Sequence, residues 1–217
     1  MAEYKDYGFS VSDPAHTFQY LTGPLLTLLN KNANNCILDI GCGNGYLVNF
    51  LVEKGYNAFG TDASAQGIAI ARQINPDRFF LQDISTGKLP AELQQQQFDT
   101  ILSTEVIEHL YDPGGFIEFC KQILNKKGEI IISTPYHGYL KNLALSLLNK
   151  WDLHFSPMWY GGHIKFWSKN TLSKALTNYG FTVISFKGCG RIPYFWKSMI
   201  IKATLNEHAL LVYNFNL

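Results

Sequence analysis

Short apolar segments alternate with amphipathic segments along most of this chain, and this alternation constrains the fold more than any other feature. Continuous apolar runs bounded by turn residues are typical of strands that are buried on both faces of a parallel sheet. Predicted strands cover residues 36–40, 58–61, 79–82, 98–103, 129–133 and 181–186, and a seventh strand is expected near 210–215.

Helical spacing of apolar residues fills most of the intervals between these strands. Asp112 followed by Pro113 predicts the start of one helix and Ser168 the start of another, because these residue types favour the first positions of helices. Predicted helices cover 20–29 (with a break at Gly23 and Pro24), 46–54, 65–74, 113–124, 139–151 and 168–179. The order of elements predicts an α/β fold, with one doubly wound, mostly parallel sheet and helices on both faces.

Composition narrows the class of protein. The chain has 217 residues, of which 47% are hydrophobic and 16% charged, so a single domain over 1–217 is expected. A formal net charge of +1 gives no overall field to attract nucleic acid.

The first residues lack the apolar region of a signal peptide. The spacings of the four cysteines match no zinc or disulfide framework, so we expect buried thiols. Both observations favour a cytoplasmic protein.

A glycine-rich turn follows the first predicted strand. Glycines at alternate positions allow a tight turn and let the backbone approach a ligand closely. The dinucleotide-binding fingerprint has its third glycine one residue later, where this chain has Tyr46, so a dehydrogenase is disfavoured. The turn consists of Asp39, Ile40, Gly41, Cys42, Gly43, Asn44 and Gly45.

Acidic residues end the next two predicted strands, at the edge of the sheet where ligands bind in folds of this class. Asp62 can accept hydrogen bonds from both hydroxyls of a ribose, or it can cap the helix that begins near Ala65. Asp83 lies either at a ligand or in an ordinary turn. The fourth predicted strand leads into Thr104 and Glu105.

The Asp-x-Gly-x-Gly-x-Gly turn and the acids that follow it in this order resemble the class I S-adenosylmethionine (SAM)-dependent methyltransferases over residues 36–186. The resemblance implies a Rossmann-like, seven-stranded sheet and SAM as the cofactor. It places Asp83 and Ile84 at the adenine, and Thr104 and Glu105 near the methionine part. The expected cofactor-binding residues are Asp39, Gly41, Cys42, Gly43, Asn44, Gly45, Asp62, Asp83, Ile84 and Thr104.

Residues 105–109 provide the candidate catalytic groups. On a helix, Glu105, Glu108 and His109 share one face, where they could bind a divalent cation. The pattern resembles two groups of O-methyltransferases, which act on catechol-type ubiquinone precursors and on the terminal 2′-hydroxyl of small RNAs. Both groups have a further histidine that matches His163. The expected ligands of Mg²⁺, Mn²⁺ or Zn²⁺ are Glu105, Glu108, His109 and His163.

An alternative without a metal ion stays open. In related methyltransferases, the matching glutamates have a role at the cofactor or in the loop. The histidine there is a general base or a structural hydrogen-bonding residue. In both cases, His109 and Glu105 are the candidate catalytic residues.

Residues 136–167 are expected to form an insertion on the acceptor side, and residues 1–35 an N-terminal cap. Leucines at 140, 143, 147 and 148 predict an amphipathic helix in this insertion, followed by an aromatic-rich stretch. Peripheral contact with the inner face of a membrane is expected through 139–160 or 191–202. The segment 191–202 is basic and apolar, and it could instead close the acceptor pocket.

These features together predict a SAM-dependent enzyme that O-methylates a small-molecule or lipid-linked acceptor. One alternative is an RNA 2′-O-methyltransferase, which the net charge of +1 disfavours. The other is a protein that binds SAM without catalysis, which the intact glycine turn and acidic residues disfavour.

Overall fold

The computed structural model describes residues 8–32, 35–155, 158–159 and 161–206. Its helices are α1 (Phe18–Leu26), α2 (Tyr46–Glu53), α3 (Ala65–Ala71), α4 (Pro113–Ile123), α5 (Tyr139–Leu147) and α6 (Lys169–Asn178). Its strands are β1 (Cys36–Ile40), β2 (Asn57–Asp62), β3 (Phe79–Leu81), β4 (Phe98–Thr104), β5 (Leu124–Pro135), β6 (Phe181–Cys189) and β7 (Ser198–Leu205).

All seven strands join one sheet in the order β3-β2-β1-β4-β5-β7-β6. Strands β1 to β5 pair in parallel, whereas β7 is antiparallel to both β5 and β6. The predicted α/β fold with a Rossmann-like, mostly parallel sheet is therefore confirmed.

The side chains of the central strands alternate between two apolar layers. On β5, Ile130 and Ile132 belong to one layer and Ile131 to the other. Helices α4 and α6 contribute side chains to the first layer, and α1, α2 and α3 to the second. Because successive residues of a strand point to opposite faces, this alternation shows that the sheet is buried on both sides, as the apolar runs predicted.

The seventh strand lies earlier in the chain than predicted. The expected strand near 210–215 is outside the described residues, and β7 falls largely within the segment 191–202 that was interpreted as a basic tail. Met199, Ile200 and Ile201 are fully buried, so this part of the segment forms core and provides no membrane contact. Lys202 interrupts the apolar run and hid the strand, but its Nζ atom pairs with Oε1 of Glu129 on β5 at 2.8 Å.

Helix α1 also differs from the prediction. It begins at Phe18 and passes through Pro24 without a break. Proline removes one helical hydrogen bond, but Leu21 and Leu25 are buried in the second apolar layer. We infer that this packing offsets the cost of the proline, because tertiary burial commonly outweighs local propensity.

The parallel strands bring their carboxyl ends to one edge of the sheet. Ile40 of β1 pairs with Thr61 of β2, and Thr104 of β4 pairs with Ser133 of β5. The residues that follow these strands are therefore neighbours in space. No helix in the described part of the chain is long and apolar enough to cross a membrane.

Candidate active site

The glycine turn after β1 is held against the end of β2. Gly41, Gly43 and Gly45 adopt φ angles of 81°, 56° and 74°, which are left-handed conformations that favour glycine. The N–H groups of Gly41 and Cys42 both donate to the carbonyl of Thr61, at 2.8 and 3.0 Å. The turn therefore has a fixed position at the edge of the sheet.

Gly45 has a packing role, although it was predicted to contact the cofactor. A Cβ atom at this position would lie 2.3 Å from Cβ of Ala71 and 2.7 Å from the ring of Phe79. Gly45 precedes α2 and does not border the cavity described below. It allows α3 and β3 to pack closely against the start of α2.

Asp62 connects the end of β2 to the glycine turn. Its Oδ2 atom accepts a hydrogen bond from the Gly43 N–H at 2.7 Å, and its Oδ1 atom accepts one from the Ser64 N–H at 2.8 Å. The alternative that Asp62 caps α3 is wrong, because the cap is Ser64, whose Oγ accepts from the Gly67 N–H at 2.9 Å.

Asp83 was predicted to lie either in an ordinary turn or at a ligand, and both descriptions apply to it. Its Oδ1 atom accepts a hydrogen bond from the Ser85 N–H at 2.9 Å at the start of a short 3-10 turn, Ile84–Thr86. Asp83 and Ile84 nevertheless border the same cavity as the glycine turn. The two alternatives for Asp83 are therefore compatible.

Asp39, at the start of the turn, is buried, with 1% exposure. Its Oδ1 atom has no hydrogen-bond partner in the described part of the chain. Burial, followed by the charge of Asp62, raises the pKa of Asp39 to about 7. Such a carboxylate attracts a cationic ligand group.

One cavity of about 1370 Å³ extends along this edge of the sheet. It exceeds the roughly 300–1000 Å³ of a pocket for a single small ligand, so a cofactor and a second molecule fit together. Gly45 and Glu108 do not border it. The predicted site residues that border it are Asp39, Gly41, Cys42, Gly43, Asn44, Asp62, Asp83, Ile84, Thr104, Glu105, His109 and His163.

Residues before α1 cover the glycine turn. The Nδ2 group of Asn44 donates to the carbonyls of Val11 and Asp13, at 2.9 and 2.8 Å. The ring of Phe9 lies over Gly43, where a Cβ atom would approach the ring to 2.7 Å. An N-terminal cap was predicted over residues 1–35, but Phe9 was not identified, because a single aromatic residue outside a periodic segment gives no signal.

Glu105 does not continue a helix, so the predicted shared helical face is wrong. Its φ angle is 56°, and a short 3-10 turn, Ile107–His109, follows it. The hydroxyls of Ser133 and Ser198 donate to Oε1 and Oε2 of Glu105, at 2.8 and 3.1 Å. Burial raises the pKa of Glu105 to about 7, although these two hydrogen bonds oppose the shift.

Glu108, His109 and His163 nevertheless come together. One ligand atom from each lies within 4.8 Å of the others, and Oε1 of Glu108 is 4.0 Å from Nε2 of both histidines. Glu108 is 1% exposed, and neither of its carboxylate oxygens has a well-formed hydrogen bond in the described part of the chain, although Thr134 lies nearby. The structure thus assembles three of the four predicted ligands without Glu105.

Backbone hydrogen bonds bring His163 to this cluster. The N–H groups of Ile164 and Lys165 both donate to the carbonyl of Glu108, at 2.9 and 3.0 Å. Nδ1 of His109 lies 2.6 Å from the carbonyl of Gly161, so this nitrogen is the protonated donor and Nε2 has a free lone pair. Burial lowers the pKa of His109, and it lowers that of His163 to about 4.

Residues of the segment 136–167 line part of the cavity. His137, Lys141 and Phe155 line it together with Arg191 and Lys197 from the segment before β7. Part of 191–202 therefore lines the cavity, and closure of an acceptor pocket by this segment stays a prediction. No role was predicted for Lys141, because its burial, at 4% exposure, is not visible in an amphipathic pattern.

A family model described as a methyltransferase domain matches residues 15–186. The chain belongs to this methyltransferase-domain family. The match confirms the resemblance that the glycine turn and the strand-end acids indicated.

Two curated relatives of this methyltransferase domain are ubiquinone biosynthesis O-methyltransferases. The protein from Dinoroseobacter shibae is 30% identical over 156 residues, which cover 70% of this chain and 62% of that protein. The protein from Bradyrhizobium sp. is 31% identical over 156 residues, which cover 69% of this chain and 60% of that protein. The chain therefore spans less than two thirds of the length of these relatives.

Solved structures support the fold of the methyltransferase domain. Magnesium protoporphyrin IX methyltransferase from Synechocystis, with bound SAH, has a TM-score of 0.63 at 20% identity, covering 86% of this chain and 80% of that chain. At this identity the likeness shows the shared fold alone.

Substitution of Gly45 tests its packing role. We expect Gly45→Ala to lower the free energy of unfolding by about 2–4 kcal/mol, because a left-handed φ and overpacking both oppose a Cβ atom. Gly55→Ala is the matched control, since Gly55 has a φ of 85° but no atom within 4 Å of an added Cβ. Urea unfolding measures both variants, and equal losses would contradict close packing at Gly45.

Proposed function

We propose that this chain transfers the methyl group of SAM to a hydroxyl group of a small-molecule or lipid-linked acceptor. The main support is that one cavity joins the glycine turn and strand-end acids to His109 and His163, which form a cluster with the buried Glu108. Such a cavity can hold a methyl donor beside groups that act on an acceptor oxygen.

The residues at the donor end fit SAM. Its sulfonium and ammonium groups are cationic, and the unpartnered, buried Oδ1 of Asp39 is an acceptor for such charge. We propose that Asp62 binds the ribose hydroxyls, that Asp83 and Ile84 contact the adenine, and that Thr104 lies near the methionine part. When bound, SAM supplies an electrophilic methyl group, so the protein has mainly to position the acceptor oxygen about 3 Å from it.

The cluster at the acceptor end fits a divalent cation. Glu108 provides a buried carboxylate without well-formed hydrogen bonds, and His109 and His163 provide neutral imidazoles, all of which are normal ligands of Mg²⁺, Mn²⁺ or Zn²⁺. We propose these three residues as ligands and exclude Glu105, whose two oxygens accept from serines. A bound cation would favour the ionised form of an acceptor hydroxyl.

Glu105 then has a positioning role. Its left-handed backbone ends β4 and turns the chain so that the 3-10 turn presents Glu108 and His109. Hydrogen bonds from Ser133 and Ser198 fix its carboxylate between β5 and β7. The names of the two curated relatives support O-methylation, but they do not identify the acceptor of this chain.

The donor site is tested by titrating the protein with SAM in a calorimeter and by assaying transfer of labelled methyl to catechols, polyprenyl phenols, sugars and short RNAs. We expect SAM binding and O-methylated products. Asp62→Ala should weaken SAM binding about tenfold or more, because it removes charge-assisted hydrogen bonds. Asp77→Ala, at an exposed position, should bind like the wild type. Binding of NAD without SAM would contradict the proposal, and methylation of RNA alone would favour the alternative acceptor.

The cation site is tested by Mn²⁺ binding, followed by electron paramagnetic resonance. We expect one Mn²⁺ per chain in the wild type and a loss of at least about tenfold in affinity for Glu108→Gln and for His163→Ala, because each removes one ligand. Glu92→Gln, at an exposed glutamate, is the matched control. Unchanged Mn²⁺ affinity in Glu108→Gln, or full activity of protein kept in chelator, would show that these residues hold no cation.

Helix α5 supports peripheral membrane contact, which would give access to a lipid-linked acceptor. Leu140, Leu143 and Leu147 are spaced three and four residues apart and are exposed by 44%, 41% and 77%. Residues at this spacing share one face of a helix, and an exposed apolar face of this kind suits a lipid interface.

Co-flotation with anionic vesicles tests this contact. We expect Leu143→Asp combined with Leu147→Asp to reduce the vesicle-bound fraction about tenfold or more, because each leucine contributes ~1.5–3 kcal/mol when buried. Ile184→Asp is the control, since Ile184 is exposed by 51% on β6. Failure of the wild type to float with vesicles would leave the insertion as a lid over the cavity.

A further inference from the structure

Basic side chains border the cavity on the side of α5 and the segment before β7. We propose that Lys141, Arg191 and Lys197, here called the basic cluster, bind an anionic group on the methyl acceptor, either a carboxylate or a phosphate. This inference rests on the proposed function, because it concerns the acceptor of the same reaction.

Lys141 gives the strongest reason. It is 4% exposed, and its Nζ atom donates to the carbonyls of Tyr136 and Lys197, at 2.8 and 3.4 Å. No acidic side chain of the described residues lies within ion-pair distance of it. Its two hydrogen-bond acceptors are neutral carbonyls. Glu105 is near enough to raise the pKa of Lys141 but forms no ion pair with it, so the charge is only partly compensated. A buried charge without an ion-pair partner is costly. An anion entering the cavity would supply that counterion.

The other cations strengthen the local positive charge. Arg191 is close enough to lower the pKa values of Lys141 and His154. Burial contributes first to both shifts, and the pKa of Lys141 falls to about 8. Asp152 also borders the cavity, but in the described part of the chain it forms no ion pair with a member of the basic cluster. Like charges that converge on a cavity favour an anionic occupant.

The basic cluster adjoins the reacting end of the cavity. The carbonyl of Lys197 accepts from Lys141, and the next residue, Ser198, donates its hydroxyl to Glu105. Through these two adjacent residues, Lys141 is connected to the acid that follows β4. An acceptor held by its anionic group at Lys141 would extend toward Glu108, His109 and His163, where we propose that its hydroxyl reacts.

Binding of matched probes to the protein loaded with SAH tests this inference. The probes are a dihydroxybenzoate, its uncharged methyl ester and a dihydroxyphenyl phosphate, measured by calorimetry. We expect at least one anionic probe to bind about tenfold or more tightly than the ester, because a charge-assisted hydrogen bond to a buried group has about this effect. Comparison of the carboxylate probe with the phosphate probe shows which anion the basic cluster prefers.

Variants separate charge recognition from folding. Lys141→Met should weaken binding of the preferred anionic probe about tenfold and leave binding of the ester and of SAH unchanged. Lys174→Met, at an exposed lysine of α6, should bind all probes like the wild type. Arg191 is exposed, so the Arg191→Gln variant should fold even if Lys141→Met is unstable. It should also weaken binding of the anionic probe.

Two results would overturn the inference. One is that neither anionic probe binds more tightly than the ester to the wild type. The other is that Lys141→Met and Arg191→Gln reduce the affinity for all probes equally, or reduce the affinity for none of them. Failure to bind SAH would instead contradict the proposed function, so the two failures are distinguishable.

Discussion

The hydrogen bond from the Gly43 N–H to the Asp62 carboxylate is the constraint on which the rest of the site depends. It forms because β1 and β2 are parallel neighbours, and because a left-handed turn points the Gly43 N–H toward the end of β2. The absence of a side chain at Gly45 lets α3 and β3 pack beneath the same turn. One short segment therefore sets both the shape of the donor pocket and the packing under it.

The acceptor end depends on a different set of contacts. The left-handed Glu105 ends β4, and the carbonyl of Glu108 accepts two backbone hydrogen bonds from the segment after His163. Strand β7 adds Ser198, which joins Glu105 to the side of the cavity formed by Lys141. Residues that are far apart in the chain thus form one wall, and the antiparallel β7 is the element that joins them.

The grouping of the glycine turn and the strand-end acids around one cavity was largely predictable, because these residues follow buried strands in a fixed order. The arrangement of Glu105, Glu108 and Lys141 was less predictable. The helical face proposed for Glu105 and Glu108 failed because Glu105 adopts a positive φ, which no periodicity indicates. Lys202 concealed β7 because its partner, Glu129, lies on another strand. Lys141 was missed because the burial of a charged side chain depends on long-range packing.

The central claim is that the strand ends form a pocket for SAM. A crystal structure of the protein with SAH tests it most directly. We expect the adenine beside Asp83 and Ile84, the ribose at Asp62 and the sulfur facing the acceptor end of the same cavity. SAH bound elsewhere, or a donor pocket that stays empty at saturating SAH, would contradict the claim.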